Sequence, residues 1–206
     1  MKKVIYLPLL FLSICSGVYQ NIYAQNAKIL VALNKEEQKV MDYIDANMPR
    51  AIALLKESVN INSGTLNIAG VKKVGEIFAR EFEKANFKTQ WISMPDSLRR
   101  AGHLVATIGF NNEAAVKNNQ KRKKLFLIGH LDTVFEPDMP ANPFTMLNDS
   151  TATGQGVNDM KGGDVVMIIA LQALHAQGLL KDADIIAYLT GDEEHAANPR
   201  EISRRD

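Results

Sequence analysis

"GGDVVMIIALQALHAQGLLKDADIIAYL", Gly162–Leu189, is the stretch that decides how this chain folds. Its first part, from Gly162 to Gln177, is apolar nearly all round, as a helix covered on most sides must be. Gly178 follows as a natural C-terminal cap. The stretch closes on DIIAYL, Asp184–Leu189, an apolar run of strand length bounded by polar residues. A matching run, LFLIGH at Leu125–His130, lies upstream across a loop rich in Pro, Asn and Asp. Strand, helix, strand in this order predicts a βαβ unit within a parallel sheet. Because both runs are continuously apolar rather than alternating, they predict strands buried on both faces.

Towards the N-terminus, Asn34 and Glu37 form a capping-box pattern that opens a helix running to about Ser58, with Pro49 as a kink. NINSGTLN, Asn60–Asn67, reads as a turn-rich loop. A second amphipathic helix follows, with Val71, Val74, Ile77, Phe78, Phe82 and Ala85 on one stripe. Strands are predicted at Lys88–Ser93 and Leu104–Phe110. The polar segment after them ends in Lys121-Arg122-Lys123-Lys124 and reads as a solvated hairpin loop. It has no interleaved aromatic residues, which argues against a nucleic-acid surface.

The chain has 206 residues, 46% hydrophobic and 23% charged, with a net charge of +1. That balance is globular and excludes a strongly basic nucleic-acid binder. Residues 1–24 form an expected signal peptide: Lys2 and Lys3, an apolar segment from Val4 to Val18, then a small residue, Ala24, before Gln25. The mature part, 25–206, would then reside in the periplasm or be secreted, with no membrane attachment. The single cysteine, Cys15, lies within the leader, and the bulky Ile14 before it favours cleavage over lipid anchoring.

Polar groups collect where open α/β sheets bind ligands, beyond the carboxyl ends of strands. His130 and Asp132 follow one strand, Asp192, Glu193 and Glu194 follow the other, and Asp159 sits in the loop before the helix. Separately, each has an ordinary explanation: a core histidine, an N-cap, an acidic first helical turn. Together they form a nitrogen and oxygen donor set that suits zinc, with cobalt or manganese as alternatives. A divalent cation also relieves the repulsion among three adjacent carboxylates. Asp132 lies two residues beyond His130 on an extended segment, so both side chains point the same way and Asp132 can fix the imidazole tautomer.

GHLDTVF (Gly129–Phe135), GQGVNDMKGGDV (Gly154–Val165) and TGDEE (Thr190–Glu194) resemble the signatures of the di-zinc exopeptidases and deacylases typified by glutamate carboxypeptidase, acetylornithine deacetylase and succinyl-diaminopimelate desuccinylase. NINSGTLN resembles the glutamate carboxypeptidase branch. The resemblance implies an α/β, zinc-exopeptidase-like catalytic domain with a mostly parallel sheet flanked by helices. It implies two zinc ions: His130 on one, Asp159 bridging both and followed by a cis peptide bond, and Glu194 on the second. Glu193 would be the general base and Asp132 would orient His130. The substrate would be a small peptide or an N-acyl amino acid. The resemblance also implies two more ligands, one acidic residue and one histidine, and a lid or dimerisation domain. The sequence stops at Asp206, twelve positions after Glu194. The expectation is therefore an N-terminal part of a catalytic domain, with little hydrolytic activity of its own, an exposed sheet edge, and homodimers only in a full-length form. A non-catalytic remnant, or a peptide- or metal-binding module on the same fold, is the alternative.

Overall fold

The computed structural model describes residues 32–109 and 122–199. The signal-peptide segment, the stretch 110–121 and the closing EISRRD lie outside the described residues.

Helix α1 spans Lys35–Val59. Its start is the reciprocal cap expected from the sequence: Asn34 Oδ1 accepts the amide of Glu37 at 2.9 Å, and the Glu37 carboxylate accepts the amide of Asn34 at 2.8 Å. The helix continues through Pro49. Helix α2 spans Ile68–Glu83, capped by Asn67, whose side chain accepts from the Gly70 amide. Its predicted stripe is the inner face: Val71, Val74, Phe78 and Ala85 are fully buried, and Ile77 and Phe82 nearly so. Burial of one such aromatic contributes about 1.5–3 kcal/mol.

Strands β1 (Lys88–Ile92), β2 (His103–Ile108), β3 (Lys123–His130) and β6 (Ala183–Thr190) form one sheet in the order β1-β2-β6-β3. Helix α3, Lys161–Ala176, connects β3 to β6 through the predicted parallel βαβ unit. The first two strands run antiparallel, so the sheet is mixed, with its parallel pair at β3 and β6. Gly178 closes α3 at φ +70°, a conformation glycine adopts without steric cost. Between β3 and α3, where the sequence reads as loop, β4 (Thr145–Asn148) and β5 (Thr151–Thr153) pair as a small antiparallel hairpin.

Leu104 and Ala106 of β2 and Ile185, Ala187 and Leu189 of β6 face a core shared with Leu54 of α1, the α2 stripe, and Val165, Ile168, Ile169 and Leu171 of α3. Arg50 ties the three helices together, pairing with Glu81 at 2.8 Å and bonding Gln172 of α3.

Two sequence expectations need correction. β3 is not buried on both faces: Leu125 is 48% exposed, Phe126 58% and Ile128 63%. Phe126 and Ile128 share a face with Ile186 and Tyr188 of β6, and that face has no helix over it among the described residues. β2 and β3 do not pair as a hairpin, since β6 lies between them. Nor is Arg122 solvated: its guanidinium pairs with Asp184 at 2.6 Å and donates to the carbonyl of Ala183.

Candidate metal centre

β3 ends at His130 and β6 ends at Thr190, and the two residues are register partners, so both parallel strands deliver their following loops to one edge of the sheet. The loop into α3 brings Asp159 to the same place. His130 Nε2 lies 3.0 Å from Asp159 Oδ1. Donor atoms of His130, Asp159 and Glu194 all lie within 4.8 Å of one another. These are three of the six residues singled out in the sequence, taken from three separate segments. The peptide bond from Asp159 to Met160 is cis, as the resemblance implies. Asp159 does not cap α3, whose N-cap is Met160.

Asp132 is fully buried, and its carboxylate organises the surroundings. Oδ1 accepts the Glu193 amide at 3.1 Å, and Oδ2 accepts the Glu194 amide at 3.1 Å and the Thr65 hydroxyl at 2.7 Å. Its backbone carbonyl lies 3.0 Å from His130 Nδ1, closer than its carboxylate at 3.5 Å. The orienting contact anticipated from the side chain is thus made chiefly by the main chain, while the side chain fixes the acidic loop opposite. Burial would raise the Asp132 carboxyl, but the bonds from His130, Thr65 and the two amides hold it below the usual carboxylate range.

Burial alone would lower His130; hydrogen bonds to Asp132 and Asp159 outweigh it and lift the imidazole to about 9. Burial, with the charges of Asp159, Asp132 and Glu193 beside it, raises Glu194 against the pull of His130. A site that holds a proton on its imidazole and raises a neighbouring acid is short of positive charge. A divalent cation would supply that charge, and one imidazole nitrogen with two carboxylate oxygens is a donor set such ions accept. The residues present fit a metal ion held by His130, Asp159 and Glu194.

Glu193 is exposed at the rim, its backbone anchored by Asp132. Asp192 is 1% exposed and supports the loop, accepting from Thr190 Oγ1 at 2.8 Å and from the Ala197 amide at 3.0 Å. His103 is buried against the Tyr188 ring, and His195 is exposed and not one of the donor trio.

Three residues near the site drew no attention in the sequence. Thr65 is one. Lys161, fully buried, donates to the carbonyls of Ser58 and Ile61 at 2.9 Å each, tying the start of α3 to the end of α1. Burial lowers its ammonium to about 8, against the opposing charge of Asp164. Asp164 is fully buried without a hydrogen-bond partner for either oxygen, and burial raises it well above the usual range. It packs where a Cβ on Gly129 would stand 2.2 Å from its Oδ1, so this approach needs glycine before His130. A basic and an acidic residue inside an apolar helix were the available signal.

This fold, with histidine and carboxylates gathered at the strand ends, defines an α/β unit carrying a candidate metal centre. Residues 126–204 match the model of peptidase family M20/M25/M40. Carboxypeptidase G2 of Pseudomonas sp. (strain RS-16) is 29% identical over 147 residues, which is 71% of this chain and 33% of that protein. Human carnosine dipeptidase 1 superposes with a TM-score of 0.63 at 21% identity, over 77% of this chain and 35% of that one. The dipeptidase Dug1p of Saccharomyces cerevisiae gives 0.62 at 16% identity, again over 77% and 35%. The chain is thus similar to the M20/M25/M40 peptidases over residues 126–204 and shares its fold with these dipeptidases. It spans about a third of the length of the relatives it matches.

Proposed function

We propose that the whole protein is a zinc-dependent hydrolase of amide bonds, acting on short peptides or N-acyl amino acids. The observation that carries this reading is the convergence of His130, Asp159 and Glu194 donor atoms within 4.8 Å. Two zinc ions, which His130, Asp159 and Glu194 would help to hold, are the finer form of the proposal. When bound, the metal supplies electrophilic chemistry, drawing charge from an amide carbonyl and from water. Glu193 takes a proton from the attacking water and delivers it to the departing amine. Its exposed carboxyl faces solvent beside the donor trio, while its amide is held in place by Asp132. Asp132 keeps His130 and Glu194 in register through its carbonyl and carboxylate.

An acidic C-terminal group on the substrate is the narrower proposal, supported by the likeness of NINSGTLN to the glutamate carboxypeptidase branch; the similarity to carboxypeptidase G2 supports action at a C-terminus. The leader-like residues 1–24 support export. Titration of the chain with Co(II) tests the centre: saturable binding, weakened by His130→Ala and Asp159→Ala, is expected. Assay of the whole protein on N-acyl glutamates and dipeptides, with and without chelator, tests the reaction. Hydrolysis that persists after exhaustive chelation would overturn the reading.

A further inference from the structure

Asp132 is the contact between the two halves of the centre, and one of its partners comes from outside both. Thr65 belongs to the loop between α1 and α2, and its Oγ1 donates to Asp132 Oδ2 at 2.7 Å with both residues buried. The same oxygen accepts the Glu194 amide. The loop carrying Thr65 is held on both sides. The Thr133 amide donates to the Ser63 carbonyl at 2.9 Å, Gly64 pairs with Thr133, and the Leu66 amide donates to the Glu136 carboxylate at 3.1 Å. The hydroxyl therefore arrives at a fixed position rather than adapting to Asp132.

We propose that Thr65 is a positioning residue for the metal centre, acting through Asp132 to set the backbone of Glu193 and Glu194. It rests on reading the trio as metal-binding. A carboxylate accepts from several directions, and its rotation is limited only by the donors around it. Without the hydroxyl, Oδ2 keeps the Glu194 amide alone, and the plane of the carboxylate is free to turn. That turn lengthens the bonds to both amides and loosens the loop that carries Glu194. Groups that orient metal ligands in this way typically influence metal affinity by about 10–100-fold.

The test compares Thr65→Val, which keeps the volume, with Thr65→Ser, which keeps the hydroxyl. Amide exchange at Glu193 and Glu194 is measured on the metal-free chain, and Co(II) affinity on the same preparations. Thr65→Val is expected to exchange severalfold faster at those two amides and to bind Co(II) about tenfold more weakly. Thr65→Ser is expected to restore both. Should Thr65→Val not fold, Thr65→Ala is read the same way. A purely structural role would accelerate exchange across the core and leave affinity per folded molecule unchanged. Undisturbed protection at Glu193 and Glu194 in Thr65→Val would overturn the proposal. If the unsubstituted chain binds no Co(II), the metal reading falls, and the exchange data still decide the role of Thr65.

Discussion

Replacing Asp132 should damage the molecule in two ways at once, and the sizes follow from its contacts. Its fully buried carboxylate accepts three hydrogen bonds at 2.7–3.1 Å, from Thr65 in the interior and from the part-buried amides of Glu193 and Glu194. Asp132→Ala leaves one buried and two part-buried donors without their acceptor, the buried one costing about 1–3 kcal/mol and the others less. It also leaves the buried imidazole of His130 without its carboxylate counter-charge. Relief of the carboxylate's own desolvation offsets part of this loss. A net destabilisation of about 3–5 kcal/mol follows, large against the roughly 5–15 kcal/mol that holds a typical domain folded. For a chain of this size that is a fall of about 6–20 °C in Tm. Asp132→Asn keeps the shape but presents an amide NH2 to one set of donors, and should cost about half as much. Thermal denaturation of the metal-free chain, followed by Co(II) titration at a temperature where both variants remain folded, measures the two effects. Asp132→Asn with unchanged Tm and Co(II) affinity would refute the idea that this carboxylate joins the two halves.

Other consequences can be checked in the same preparations. His130 titrates near 9 in the folded metal-free chain against an ordinary 6.5, so its stabilisation is full below pH 6.5 and lost as pH rises through 9. Denaturation across pH 6–10 should show that decline, and His130→Gln should remove it. Asp164 is raised without a hydrogen-bond partner, so the stability linked to it is present below the ordinary carboxylate range and lost as pH rises towards its folded value. Asp164→Asn should therefore stabilise the chain more at pH 8 than at pH 5, as urea titrations at both pH values would show. Lys161→Met removes two buried hydrogen bonds to Ser58 and Ile61 and should cost about 2–4 kcal/mol in the same titrations. Phe126→Lys, on the uncovered face of β3, should leave stability within about 0.5 kcal/mol and reduce self-association in sedimentation velocity.

The parallel βαβ unit was legible because two apolar runs of strand length flank an apolar stretch of helix length from Gly162, with Gly178 marking the stop. The candidate centre was legible because metal donors of several types fall at strand ends, and Asp159 at the loop leading into the helix. What escaped reading depends on three-dimensional neighbours. LFLIGH is as apolar as a doubly buried strand, but burial is set by what covers a face, which local pattern does not encode. The β4–β5 hairpin is short and Thr-rich, and its strands are stabilised by pairing rather than by any apolar alternation. Thr65 lies 67 positions from Asp132, and nothing about an isolated threonine in a turn-rich loop announces a buried carboxylate as its partner. Arg122 reads as a solvated charge because its neighbours are basic, whereas its acid, Asp184, lies 62 positions away.

The central claim is that His130, Asp159 and Glu194 hold a metal ion. X-ray absorption of the zinc-loaded chain, beside Glu194→Ala and His130→Ala, tests it most directly. A first shell of nitrogen and oxygen, with an imidazole contribution that vanishes in His130→Ala and a loss of oxygen ligation in Glu194→Ala, is the predicted result. Zinc that fails to bind stoichiometrically, or whose ligand shell is indifferent to both substitutions, would contradict it.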